Sequence, residues 1–172
     1  MAIHRLNHAV LYVRDVARSV AFYKDVLGFD VVMEMGGTVA FLRAPESSND
    51  HDLGLFEIGA DAAPSPAGRG SVGLYHLAWE VDTLSDLDVL AGRLAEAGAL
   101  VGASDHSTTK SLYAQDPDGL EFEVAWIVPA DLLDAETLSR RDRIRPLDLG
   151  REIARYGAHT HGGYGISRVA VG

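Results

Sequence analysis

The stretches LNHAVLYVRDV, residues 6–16, and LYHLAWEVDTL, residues 74–84, decide the fold because they repeat one pattern at a constant offset. Leu6 aligns with Leu74, His8 with His76, and Val13 with Val81. In each copy, alternating apolar residues that are often β-branched or aromatic predict a β-strand. The chain is therefore expected to contain two related structural modules.

A helix and three short strands are predicted after each of these strands. Asp15 can cap the first helix and Gly28 can end it, and Gly98 can end the second helix. The apolar stripes that predict these helices are Val16, Val20, Tyr23 and Leu27 in the first and Leu87, Leu90, Ala91 and Leu94 in the second. The further strands are expected near residues 30–34, 38–43 and 52–58, and near residues 100–102, 111–115 and 120–127.

This pattern predicts an α+β fold made of paired βαβββ modules, residues 3–58 and 72–127, within one domain at residues 1–127. The modules should form a cupped mixed β-sheet with flanking helices. The stretch at residues 59–73 is rich in Gly, Pro, Ala and Ser and predicts a linker. Residues 128–172 are predicted to form a helical and irregular C-terminal tail. Its His159 and His161 are more often an accidental pair than a metal site.

The composition narrows the functional classes. The 172-residue chain has a formal net charge of −10, which disfavours nucleic acid as a partner because phosphates are repelled. It contains no cysteine, so disulfides and thiolate chemistry are excluded. The start MAIHRLNHAVLYV lacks the apolar core and cleavage site of a signal peptide, and no apolar run is long enough to cross a bilayer. A cytoplasmic protein without a membrane partner is expected.

Three side chains on three predicted strands are the candidates for a metal site. His8 and His76 occupy equivalent positions in the repeat, and Glu123 interrupts an otherwise apolar strand. Strand parity turns Glu123 away from Phe122 and Val124, which are expected to pack on helices. Two imidazoles and one carboxylate suit Fe(II) or Mn(II) and leave positions open for substrate and O₂. A single strand histidine is more often structural, but the repeat and the third partner favour a metal site here.

The stretch SDHSTTKSLYAQDPDGLEFEVAW, residues 104–126, resembles the signature of type I extradiol dioxygenases in the vicinal oxygen chelate superfamily. The matching residues are His106, the Leu112-Tyr113 pair, the DPDG turn at residues 116–119, and Glu123. Ser104 departs from the residues usual at that position. A second match is HDLGLF, residues 51–56, which resembles the acid–base strand of catechol 2,3-dioxygenases.

The resemblance implies a mononuclear Fe(II) site, with Mn(II) as the alternative, that adds O₂ to a catechol-type substrate. It implies His8, His76 and Glu123 as metal ligands and His51, His106 and Tyr113 as catalytic residues. The ring would open beside the two hydroxyls to give a 2-hydroxymuconic semialdehyde type of product. Single-domain members of the superfamily often pair, so a homo-oligomer is expected.

Two other functions stay open from the sequence. A glyoxalase- or epimerase-like lyase or isomerase needs a fourth ligand on the strand that repeats the Glu123 strand. Gly54 or a neighbour occupies that position, and Glu57 lies toward the far end of the strand. A metal-free, resistance-type binding protein commonly lacks the full ligand set that this chain keeps. A three-ligand site is therefore predicted.

Overall fold

A computed structural model describes residues 3, 5–163 and 165. The described chain divides into two compact units. The first contains the chain up to Ser65 together with Asp116–Gly119, and the second contains Pro66–Gln115 and the chain from Leu120 onward. The described residues after Ile127, which we call the C-terminal segment, therefore belong to the second unit. The single domain at residues 1–127 stays a prediction.

The first unit contains one helix and a four-stranded mixed sheet of strand order β1-β4-β3-β2, in which only β1 and β4 run parallel. Its elements are β1 Ala9–Val13, α1 Val16–Asp25, β2 Asp30–Met35, β3 Val39–Arg43 and β4 Leu53–Glu57. Helix α1 begins where Asp15 accepts a hydrogen bond from the Arg18 amide at 2.9 Å. It is followed by Gly28, whose φ of 81° suits a residue without a side chain.

The core of the first unit lies between α1 and one face of the sheet. The buried residues of the helix are Val16, Ser19 and Tyr23. The sheet contributes alternate residues, because side chains along a strand point to opposite faces. The buried side chains of the strands include Leu11, Val13, Ala40, Leu42, Leu53 and Leu55.

The second unit repeats this arrangement and extends it. Its elements are β5 Leu77–Glu80, α2 Leu84–Glu96, β6 Leu100–Asp105, β7 Thr109–Gln115, β8 Glu121–Ile127, a short 3-10 helix Ala130–Leu132, α3 Ala135–Ser139, β9 Arg145–Pro146 and α4 Leu149–Tyr156. The sheet order is β5-β8-β7-β6-β9, and β5 and β8 run parallel. Helix α2 begins with a reciprocal pair of bonds between Thr83 and Asp86. Gly98, with φ of 65°, follows its end.

The C-terminal segment packs on the second unit. Strand β9 pairs with β6, and Lys110 forms an ion pair at 3.0 Å with Glu152 of α4. The indole of Trp126 on β8 is fully buried, lies 5.4 Å from the Tyr156 ring, and donates to the Thr160 carbonyl at 3.2 Å. This segment therefore adds core and edge pairing to one module.

The predicted fold class is confirmed, since the structure has an α+β architecture of mixed sheets with flanking helices. The strands agree with the predicted ranges to within a few residues, and β6 extends three residues further than expected, to Asp105. The chain after Ile127 contains a 3-10 helix and the helices α3 and α4. The end of the predicted loose segment, Tyr164 and residues 166–172, lies outside the described residues. No helix in the described part of the chain is both long and apolar enough to cross a membrane.

Candidate active site

The second unit contains a cluster of polar side chains on the helix-free face of its sheet, which we call the Glu123 cluster: His76, His106, Ser111, Tyr113 and Glu123. The Nε2 atom of His76 lies 3.1 Å from Oε2 of Glu123. The Ser111 hydroxyl donates to the other carboxylate oxygen, Oε1, at 2.5 Å. Each oxygen of Glu123 therefore has its own partner, and the carboxylate is held in one orientation.

The side chains of His76 and Glu123 are of types that bind divalent metals. Imidazole and carboxylate are ligands that Fe(II) and Mn(II) accept, and here one nitrogen and one oxygen already converge. The other ring nitrogen of His76, Nδ1, is buried and has no hydrogen-bond partner among the described residues. Within each unit, the described residues contain no group of three or more potential ligands arranged to hold a metal.

Tyr113 and His106 form a second pair within the Glu123 cluster. Tyr113 lies directly opposite Glu123 in the pairing of β7 with β8. Its hydroxyl lies 2.8 Å from Nε2 of His106. Burial, followed by the nearby charge of Glu123, raises the pKa of Tyr113 above its ordinary value. The phenol therefore keeps its proton at neutral pH and remains a hydrogen-bond donor.

Two further residues on this face, Ser111 and Tyr75, were not among the site residues predicted from the sequence. Ser111 has the same strand parity as Tyr113, so its direction was predictable, but a lone serine in a strand belongs to no motif. Tyr75 is an exposed residue beside His76, with the two ring centroids 4.6 Å apart. A hydrogen bond to Glu121, and then the charge of that carboxylate, raise the pKa of Tyr75.

The first unit contains a smaller group of rings, which we call the His51 cluster: His8, Phe41 and His51. The ring of His51 lies 4.6 Å from that of His8 and 4.9 Å from that of Phe41, measured between centroids. Nδ1 of His51 lies 2.9 Å from an exposed carboxylate oxygen of Asp50, and Nδ1 of His8 lies 2.8 Å from the side-chain oxygen of Asn7. When Nδ1 of His51 donates to Asp50, Nε2 is the nitrogen able to accept a proton.

The loop before β4 is held by one buried carboxylate, and this determines where His51 lies. Asp52 accepts hydrogen bonds from the Ala44 amide at 2.9 Å, the Ser47 hydroxyl at 2.8 Å and the Asn49 side chain at 2.6 Å. Asn49 also donates to the Asn7 carbonyl at 2.8 Å. The loop is thereby tied to the residues just before His8, so the two histidines of the His51 cluster share one support.

The position that repeats Glu123 in the first unit holds a glycine. Val10 pairs with Gly54 in β1 and β4, just as Ala78 pairs with Glu123 in β5 and β8. A Cβ atom added at Gly54 would lie 3.4 Å from both the Phe41 ring and Val10, so apolar side chains already border this position. Glu57, the carboxylate further along β4, accepts a hydrogen bond from the Val16 amide at 3.0 Å. It serves the start of α1.

The six predicted site residues fall into two groups. His8 and His51 contact each other in the first unit. His76, Glu123, Tyr113 and His106 lie together in the second. Of the two tail histidines, His161 lies with Nδ1 2.7 Å from Asp82. This contact is exposed and gives His161 a surface partner.

Comparison with known proteins gives a consistent family. Residues 5–124 match the family described as the Glyoxalase/Bleomycin resistance protein/Dioxygenase superfamily. The chain is 32% identical over 121 residues to a catechol-2,3-dioxygenase of Bacillus subtilis (strain 168), covering 69% of this chain and 40% of that protein. It is 36% identical over 123 residues to a biphenyl-2,3-diol 1,2-dioxygenase 3 of Rhodococcus globerulus, covering 70% of this chain and 62% of that protein. The chain thus spans less than two thirds of the length of either relative.

Among solved structures, a glyoxalase/dioxygenase from Nostoc punctiforme matches with a TM-score of 0.58 and 24% identity, over 70% of this chain and 89% of that one. This likeness supports the fold. The family match covers well over half of the chain. The chain therefore belongs to the glyoxalase/bleomycin resistance protein/dioxygenase superfamily, as the sequence resemblance predicted.

Proposed function

We propose that the chain is an extradiol-type dioxygenase that adds O₂ to a catechol-type substrate at one divalent metal, Fe(II) by preference. The observation that carries this proposal is the Tyr113–His106 hydrogen bond of 2.8 Å beside the His76–Glu123 pair. Metal binding alone has no need of a phenol and an imidazole at that place. Substrate oxygens that change charge during ring opening do need donors and acceptors there.

The proposed metal ligands are His76, Glu123 and His8, the repeat equivalent of His76. When bound, the metal supplies a centre that brings catechol and O₂ together and orients them. The glycine at position 54 and the engagement of Glu57 with Val16 support three protein ligands rather than four. A three-ligand site leaves room for two reactants, whereas the four-ligand site of a glyoxalase leaves less.

The protein residues around the metal would move and hold protons. We propose that Nε2 of His51 takes a proton from a catechol hydroxyl, because an imidazole can accept and return a proton near neutral pH. When Nε2 of His106 is protonated, it donates to the Tyr113 oxygen. The proton of Tyr113 is then free to bond a substrate oxygen. The raised pKa of Tyr113 keeps that proton in place at neutral pH.

The test combines metal content with oxygen uptake. Protein reconstituted anaerobically with Fe(II), and separately with Mn(II), is assayed for oxygen consumption over a panel of substituted catechols. Glu123→Gln, His76→Ala and His8→Ala should each lose the metal. Glu121→Gln is the matched control, since it changes a carboxylate two residues away on the same strand and should retain the metal. Full metal occupancy in His76→Ala would remove the proposed ligand set.

The acid–base role has a separate test. His51→Phe should keep the metal and bind catechol, yet lose about a hundred- to ten-thousand-fold in turnover, the usual contribution of a general acid–base residue. Unchanged turnover in His51→Phe would leave the enzyme class standing and exclude this residue. If the metal-loaded wild-type protein consumes no oxygen with any catechol, the dioxygenase proposal fails. Activity on a hemithioacetal would then favour the glyoxalase-like alternative.

A further inference from the structure

The turn that carries His106 adopts a backbone conformation that costs energy. It joins β6 to β7, and His106 closes it by donating its amide to the Thr109 carbonyl at 2.9 Å. Ser107, the next residue, has φ of 70°, and among the described residues it is the only non-glycine with positive φ. Such a conformation persists only where surrounding contacts impose it.

A buried lysine supplies those contacts from one side. Lys110 is 1% exposed, and its Nζ lies 2.5 Å from Oδ1 of Asp105 and 3.1 Å from the Ser107 carbonyl. The ammonium therefore binds residues on both sides of His106. A buried charge is costly unless it is paired, so this site depends on further partners.

The C-terminal segment supplies the remaining partners. Glu152 of α4 is 4% exposed, and its Oε2 lies 3.0 Å from Lys110 Nζ, off the line of a hydrogen bond, so the contact is ionic. The Tyr156 ring lies 5.7 Å from the same nitrogen. Independently, the Ser107 hydroxyl donates to the Thr137 carbonyl of α3 at 2.6 Å. Two helices of this segment thus reach the turn that carries His106.

We infer that Lys110, paired with Glu152, is a positioning residue for His106, and that the C-terminal segment fixes the turn so that His106 Nε2 meets the Tyr113 hydroxyl. The C-terminal segment then orients a residue of the site, although none of its own residues belongs to the Glu123 cluster. The effect on His106 itself is independent of the proposed dioxygenase function. The effect on turnover rests on that function.

The first test measures the His106 ring by nitrogen-15 NMR, with its signals assigned by their loss in His106→Ala. Glu152→Gln keeps the side-chain size but removes the charge opposite Lys110. Ser107→Gly removes the hydroxyl bond to Thr137 and tolerates the positive φ, so this variant should fold. Both should shift the His106 ring signals and weaken the hydrogen-bonded form.

Glu136→Gln is the matched control, because Glu136 is a carboxylate of the same segment that pairs with Arg140 on the surface at i,i+4. It should leave the His106 signals unchanged. His106 signals that match wild type in folded Glu152→Gln would overturn the inference. If Glu152→Gln does not fold, unchanged signals in Ser107→Gly would overturn it equally.

The second test uses kinetics once catechol turnover is established. Glu152→Gln should lower kcat about ten- to a hundredfold with little change in KM, as expected for a misplaced catalytic group. It should cause no further loss in a His106→Ala background, because the residue it positions is then absent. Equal losses in both backgrounds would indicate general destabilisation and reject the positioning role. A wild-type protein without turnover would refute the proposed function and leave the ring measurement to decide this inference.

Discussion

The two units have the same order of elements and the same strand register, but different side chains face away from their helices. In the first unit the equivalent positions hold Gly54, Phe41 and Val39. In the second they hold Glu123, Tyr113 and Ser111. The backbone ladder therefore preserves positions while the chemistry at those positions has diverged. One unit presents an apolar surface with two histidines at its margin, and the other presents a carboxylate with ordered hydrogen-bond partners.

The outer edges of the two sheets also differ, because only the second sheet is extended there by an additional strand. Strand β2 is the edge of the first sheet and all six of its residues are exposed, including Val31, Met33 and Met35. Its counterpart β6 is paired on its outer side with β9 of the C-terminal segment. The C-terminal segment thus extends the sheet that holds the Glu123 cluster. This pairing satisfies outward-facing backbone groups at one end of β6, which an edge strand would leave open.

The largest expected effect tests this extra support. Trp126 and Glu57 occupy equivalent positions in the two units, but Trp126 is fully buried and packs on the C-terminal segment. Trp126→Ala should lower the free energy of unfolding by about 3–5 kcal/mol, because it leaves a large cavity. Urea unfolding of the variant measures the loss. Ile58→Ala, at an exposed position in the first unit, is the control and should cost far less. A loss for Trp126→Ala no larger than the control's would show that the segment adds little.

The next largest effect is expected when the aromatic residues at the equivalent positions 113 and 41 are exchanged. Under the proposed function, Tyr113→Phe removes one hydrogen bond to a substrate oxygen and should lower kcat about ten- to a hundredfold, or roughly 1.4–2.7 kcal/mol. Phe41→Tyr adds a hydroxyl in the first unit and should neither raise activity nor rescue Tyr113→Phe. Steady-state oxygen uptake with metal content held equal measures both. Rescue would mean that positions 41 and 113 serve the reaction alike, although they lie in different units and hold different residues.

The sequence predicted the framework because its signals are local. Alternating residues and the Gly28 and Gly98 helix stops identified both modules, and strand parity gave the direction of Glu123. The partners that orient the site come from long-range packing. Ser111 and Lys110 belong to no motif, and the partner of Lys110 is Glu152, far along the chain in α4. Periodicity contains no information on which distant helix will supply such a partner.

A smaller effect is expected from the buried faces of α1 and α2, which differ in polarity. Helix α1 buries Tyr23, whose hydroxyl donates to Asp116 at 3.3 Å, whereas the buried residues of α2 are all leucines. Burial, and then the charge of Asp116, raise the pKa of Tyr23 well above its usual value. The unfolded chain ionises this tyrosine near its ordinary pKa of about 10, so the folded state should lose stability as the pH rises above that value.

Tyr23→Phe should therefore lower stability at neutral pH by about 1 kcal/mol, the usual net contribution of one hydrogen bond. It should also reduce the loss of stability between neutral and alkaline pH. Urea midpoints measured from pH 7 to pH 11 test both expectations. Leu87→Met, a size-preserving change in the α2 core, serves as a control that should leave the alkaline slope unchanged. An alkaline slope identical in wild type and Tyr23→Phe would show that the Tyr23 hydroxyl is not the group responsible.

The smallest expected effect concerns Glu57, the carboxylate on β4 that a four-ligand metal site would require. Its Oε2 accepts from the Val16 amide at the first turn of α1, at 3.0 Å. A negative charge at a helix N-terminus stabilises by about 0.3–1 kcal/mol, and a glutamine at this position can still accept the bond. Glu57→Gln should cost an amount in that range and should retain all bound metal, whereas Glu123→Gln should lose it. Because this stabilisation is electrostatic, the difference from wild type should shrink in high salt. Metal loss in Glu57→Gln equal to that in Glu123→Gln would make Glu57 a fourth ligand and favour the glyoxalase-like chemistry over ring cleavage.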